Sequence, residues 1–289
     1  MKPKCLFLAG VLFATGAVAQ EKPAGDIIVT ARKPIDAPVA RRFVRNITAL
    51  TQDQIARFDA PVCPIAIGFE PEIEKQLVAR MRRVAKAVGA ELAPDQCAGN
   101  VALVTTDDGG ALVKALRSTH PNLLEGLEPR QIDRMIESEG PVRSWSATAV
   151  VNEDGQRLSP PTSGDFMDPP TLVVKTASFV NPSSKQIIDS ATVVIDAKAV
   201  IGRSAIQLAD YAMMRALART RPVAGDSDVG TILSLFDPFS PSALSVTDAD
   251  VAYLKALYAM PGNRTATYQM ARIAEQLKRS AAPSTGKMP

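Results

Sequence analysis

Two cysteines bracket a strand–helix–strand pattern, and this arrangement constrains the fold more than any other stretch of the chain. Cys63-Pro-Ile-Ala-Ile-Gly-Phe69 is a short apolar run with β-branched residues and reads as a strand. Pro71 stands where a helix favours its first residue, and Gly89 stands just past where the helix should end. Between them Ile73, Leu77, Met81, Val84 and Val88 recur on one face, while Arg80, Arg82, Arg83 and Lys86 are assigned to a solvated face. Val101 to Thr105 reads as a second strand. A crossover helix brings two such strands near each other. Cys97, just before the second strand, can therefore be tied back to Cys63 at the edge of the first. We expect a disulfide, worth roughly 3–4 kcal/mol in the chain-entropy account of loop closure. The alternative is two buried free thiols. In either case the spacing is not the C-x-x-C of a redox site.

The beginning of the chain supports an oxidising destination. Lys2 and Lys4 precede an apolar run from Cys5 to Val18, and Ala17-Val18-Ala19 is a small–x–small cleavage signal. Residues 1–19 thus read as a signal peptide, too short for a comfortable bilayer span. Cleavage removes Lys2, Lys4 and Cys5, leaving 31 basic against 30 acidic side chains and an even pair of cysteines. A near-neutral balance is no argument for nucleic acid, which requires a concentrated basic face, and none is expected as a partner. No later stretch is long and apolar enough to suggest a membrane span.

Residues 20–41 hold Pro23, Gly25, Pro34 and Pro38 and read as a flexible leader. Within it Asp26-Ile-Ile-Val-Thr-Ala-Arg32 resembles the TonB box of TonB-dependent outer-membrane receptors. Such a receptor needs a barrel of about 22 strands, which 289 residues cannot supply. The segment is a leader, an edge strand, or a strand added to a partner's sheet. A single globular domain is expected over 42–281, with a disordered polar tail at 282–289. Inside it, 111–117 and 131–137 read as helices, and 142–152 as a strand alternating around Trp145. Segments 172–180 and 191–195 read as an antiparallel hairpin. Helices are expected at 204–218, 251–258 and 265–278, with Thr247 capping the second and Asp250 completing a box. The order implies an α+β fold with a mixed sheet and packed helices.

The back half is similar to the metzincin class of zinc proteases, as in uncharacterised exported bacterial families related to them. Gln207-Leu-Ala-Asp-Tyr-Ala-Met-Met-Arg-Ala-Leu217 lies on a helix after the strands, Thr231 to Phe236 follows, and Leu244 to Tyr258 is a capped helix ending in Leu-Tyr. Cys97-x-x-Asn100 before a strand is a further point of likeness. In that class, H-E-x-x-H places two histidines on one helix face to hold Zn²⁺, with the glutamate as general base. The corresponding positions here are Gln207, Leu208, Tyr211, Met214 and Leu217. The resemblance therefore implies a metzincin-like (zincin-like) frame whose metal site has given way to apolar packing. No metal or other cofactor is expected.

The single histidine narrows the remaining chemistry. His120 lies in a Thr-His-Pro loop signal with no G-x-S-x-G elbow. Gly109-Gly110 lacks the G-K-[ST] of a phosphate loop, and Asp107-Asp108 reads as a helix cap. Asp226-x-Asp228 lacks the twelve-residue Ca²⁺ loop. Gln207, Asp210 and Tyr211 are polar groups on an apolar helix; they line a remnant pocket or hydrogen-bond at a domain surface. The favoured reading is a non-catalytic exported protein, periplasmic or secreted, that binds a protein or small ligand of the cell envelope. The rivals are a hydrolase using Asp210, Asp226, Asp228 or a serine, and an envelope adaptor acting through 26–32.

Overall fold

The computed structural model describes residues 35–159, 171–174, 181–223, 225 and 227–281. The signal peptide, the TonB-box-like segment, Asp226, residues 175–180 and the 282–289 tail lie outside the described residues.

The first element begins within the stretch assigned to a leader. Helix α1, Ala37–Ile47, is capped by Asp36, whose carboxylate accepts from the Val39 N–H at 2.8 Å. Pro38 lies in its first turn, where a missing N–H costs nothing. Ala40, Phe43, Val44 and Ile47 form a buried stripe at helical spacing. Strand β1 is Arg57–Phe58 and β2 is Pro64–Ile67. Helix α2, Pro71–Val88, starts at its proline and ends on Gly89, whose φ of +83° provides the left-handed cap. β3, Val101–Thr106, completes the crossover unit and pairs parallel with β2. The Cys63–Cys97 disulfide spans it, with Cα atoms 6.0 Å apart. Asn100 reinforces the same corner by accepting from the Cys63 N–H at 2.7 Å and donating to the Pro61 carbonyl at 3.0 Å.

Helices α3, Gly109–Thr119, and α4, Pro129–Glu137, follow. Asp108 caps α3, as expected of the acidic pair before it. Strands β4, Val142–Asn152, and β5, Ser184–Asp196, come next, then a single turn α5, Ala197–Val200. Helix α6, Ala205–Ala216, opens with a Ser204–Gln207 capping box. Helix α7, Asp248–Ala259, opens with the expected Thr247–Asp250 box, and α8 is Ala266–Ala281.

The fold is mixed α/β, with a five-stranded sheet and packed helices. β5 lies beside β3 and β1, parallel to both, and pairs antiparallel with β4 along its other edge. The expected hairpin between 172–180 and 191–195 is not formed: β4 and β3 occupy the two edges of 191–195. Residues 172–174 are not strand. Alternation of side chains divides the sheet between two cores. Val101, Leu103, Val193 and Ile195 face the main core with α2, α6 and α7. Trp145 and Val194 pack with Val113, Leu124 and Ile132 on the other side. No helix among the described residues is long and apolar enough to cross a membrane.

Replacing Cys63 and Cys97 together by serine should lower the unfolding free energy by about 3–4 kcal/mol, read from urea denaturation. Unchanged stability would contradict the assigned role of the bridge.

Candidate functional site

Every polar group singled out on α6 has a structural partner. Asp210 is fully buried and receives the guanidinium of Arg80 as a fork, Nε to Oδ1 at 2.6 Å and Nη2 to Oδ2 at 2.7 Å. Its Oδ2 also accepts from the Val246 N–H at 2.8 Å. Arg80, assigned from the sequence to a solvated face, is instead 1% exposed and joins α2 to α6. Position 80 falls in the same stripe as Leu77, Met81 and Val84, so a charge there must be paired to be buried. Gln207 completes its capping box and donates to the Ala243 carbonyl at 2.8 Å. Tyr211 packs edge-on against Phe236, ring centroids 4.9 Å apart, and its hydroxyl accepts from Arg215 at 2.8 Å. Leu208, Met214 and Leu217 are buried in the main core.

The other candidates are scattered. Asp228 is exposed and paired with Arg42. His120 is exposed at the end of α3, beside the Thr119 hydroxyl. Thus Asp210 and Asp228 do not meet in one cleft. Among the described residues no group of three or more His, Cys, Asp or Glu side chains is placed to hold a metal ion.

What sequence reasoning missed is a groove of about 340 Å³ along the outer edge of β4. Among the described residues, β4 has no ladder partner beyond β5 except a single bridge at Val151. One bank of the groove is α4, with Gln131, Arg134 and Met135; the other is the end of α6 and the following turn, with Arg215, Arg219 and Arg221. Ser144, Trp145 and Ser146 of β4 lie along it. The pairing of Ser144 with Val193 and of Ser146 with Ala191 puts both serines on the sheet face that carries α6. Five arginines line this groove, and no acidic side chain does so among the described residues.

The arginines are not equivalent. Arg143 is consumed internally: Nη1 reaches both Asp196 oxygens at 2.8 and 2.7 Å, and Nη2 donates to the Ser138 carbonyl at 2.8 Å. Asp196 also accepts from the Gly109 N–H at 2.8 Å, and a methyl group at Gly109 would lie 2.8 Å from the same oxygen. That close approach explains the glycine opening α3. Arg215 has its guanidinium carbon 5.7 Å from the centre of the Tyr211 ring, and its buried Nε has no hydrogen-bond partner. Arg219 sits at φ +48° with Nη1 donating to the Thr51 hydroxyl. Burial holds its pKa below the usual arginine value. Arg221 and Arg134 are exposed at the mouth. The arrangement can fix oxyanions through planar N–H forks. Among the described residues its lining holds hydroxyls but no His, Asp, Glu or Lys side chain to act as a general base beside them.

No protein-family model, curated protein or solved structure matches the chain.

Replacing Arg143 by Gln should cost about 1.5–3 kcal/mol by stripping charge-assisted bonds from Asp196, measured by urea denaturation. Arg221→Gln should stay within about 0.5 kcal/mol of the parent, as expected for an exposed side chain.

Proposed function

We propose that this chain is an exported, non-catalytic binding protein of the periplasm, built on a metzincin-like frame, with the β4-edge groove as its ligand site. The observation that carries the reading is the fate of α6. Its five motif positions, Gln207, Leu208, Tyr211, Met214 and Leu217, are all buried and engaged in caps, aromatic packing or the main core. Leucine at the general-base position cannot take a proton, and tyrosine and leucine cannot replace a histidine triad around zinc.

The surrounding order supports the frame. α6 follows the antiparallel β4–β5 pair, the 232–234 turn packs beside it, and the capped α7 follows. The disulfide fits an oxidising compartment. The open concavity at β4 lies beside, not on, the former motif positions, since Tyr211 contacts Arg215 but does not itself line the groove.

The test is metal analysis of the protein purified without affinity metals, together with a peptidase assay with and without a chelator. We expect metal far below one equivalent and no cleavage. Stoichiometric metal with chelator-sensitive cleavage would overturn the reading.

A further inference from the structure

The groove at β4 gathers more positive charge than its own walls neutralise. Arg143 is matched by Asp196, which leaves Arg134, Arg215, Arg219 and Arg221 with no carboxylate partner in the lining among the described residues. Bringing guanidiniums together in a partly desolvated hollow is unfavourable unless something else is gained. Two of them are nevertheless held in place by the fold. Arg215 is stacked on Tyr211 and bonded to its hydroxyl, with a buried Nε still unpartnered. Arg219 adopts a left-handed backbone and is tethered to Thr51, and burial alone accounts for its lowered pKa. The Arg221 backbone N–H is fixed to the Ile47 carbonyl at 2.7 Å, which holds the chain at the mouth, where the Arg221 side chain is exposed. Donors held as Arg215 and Arg219 are lose little freedom on binding.

The remaining lining is mixed. Leu127, Met135, Val142 and Pro222 supply apolar wall, and Ser144 and Ser146 supply hydroxyls. About 340 Å³ suits a small molecule rather than a polymer segment.

We propose that this groove binds a small organic polyanion, a compound carrying two or more carboxylate or phosphate groups, with Arg215, Arg219 and Arg221 gripping the oxyanions and the α4 side contacting its body. The assignment rests on the reading of the chain as a binding protein and specifies its ligand class. Guanidinium forks serve carboxylates and phosphates alike, so the two sources are separated by experiment.

The experiment is titration calorimetry of the parent protein at low ionic strength with citrate, with pyrophosphate and with glucose as a neutral control. We expect saturable one-to-one binding of citrate or pyrophosphate, none of glucose, and affinity that falls as salt rises. Binding of citrate alone assigns a carboxylate ligand, and binding of pyrophosphate alone assigns a phosphate ligand. Arg221→Gln should weaken the interaction roughly tenfold to a hundredfold, the effect of one charge-assisted contact, with its unfolding midpoint unchanged. Arg134→Gln, on the opposite bank, provides a second variant whose folding does not depend on the substituted side chain. No saturable heat with either anion overturns the proposal, as does binding that neither variant alters. That failure is distinct from failure of the broader reading, which chelator-sensitive peptidase activity would remove even if anions bind.

Discussion

The buried fork between Arg80 and Asp210 organises the molecule. It crosses from α2 to α6 with side chains that are 2% and 0% exposed, and Asp210 also anchors the Val246 backbone ahead of α7. A pair so deeply withdrawn from water is retained only when geometry and hydrogen bonding are nearly complete, because desolvation of either charge alone is not recovered. Its consequence is registry. α2 packs on β2 and α6 on β5, so locking one helix to the other sets how the crossover unit meets the back half. α6 in turn carries Tyr211 and Arg215 to the edge of β4.

From that registry the groove follows. β4 closes one side of the sheet by pairing antiparallel with β5, and its outer edge faces the space between α4 and the 219–222 turn. Arg143 and Asp196 stabilise the α4 bank by bonding to Ser138, Met135 and Gly109. Tyr211 and Thr51 position the arginines of the other bank. α6 serves as a scaffold. Its polar residues are spent on caps and on Arg80, and the chemistry left exposed is that of guanidinium donors.

Much of this was legible in the residues. Pro71 and Gly89 marked both ends of α2, Cys63 and Cys97 marked the bridge, and Thr247 with Asp250 marked the start of α7. These signals are local, and local rules suffice to read them. The pairing of β5 was not local: it depends on β4, which ends at Asn152, far back in the sequence from Ser184, and alternation identifies a strand without naming its partner. α1 was hidden because Pro34 and Pro38 suggested a leader, although Asp36 followed by the spacing of Ala40, Phe43, Val44 and Ile47 contained the helix signal. The charge of Arg80 masks its burial in the sequence. Its place in the Leu77–Met81–Val84 stripe, with a complementary Asp210 in an otherwise apolar helix, was the available clue. The groove left no comparable trace: Arg134 and Arg143 are far in sequence from Arg215, Arg219 and Arg221, and the overall charge is nearly balanced.

That the polar residues of α6 hold the fold rather than perform chemistry is tested by a double-mutant cycle on Arg80→Met and Asp210→Leu. Urea denaturation of the two single variants and the double variant gives the coupling. Each single change should cost about 3–5 kcal/mol by stranding the other charge, and the double variant should recover much of the loss. Two small, additive losses would contradict it, because they would mean that Asp210 is not held by Arg80 and is free for another role.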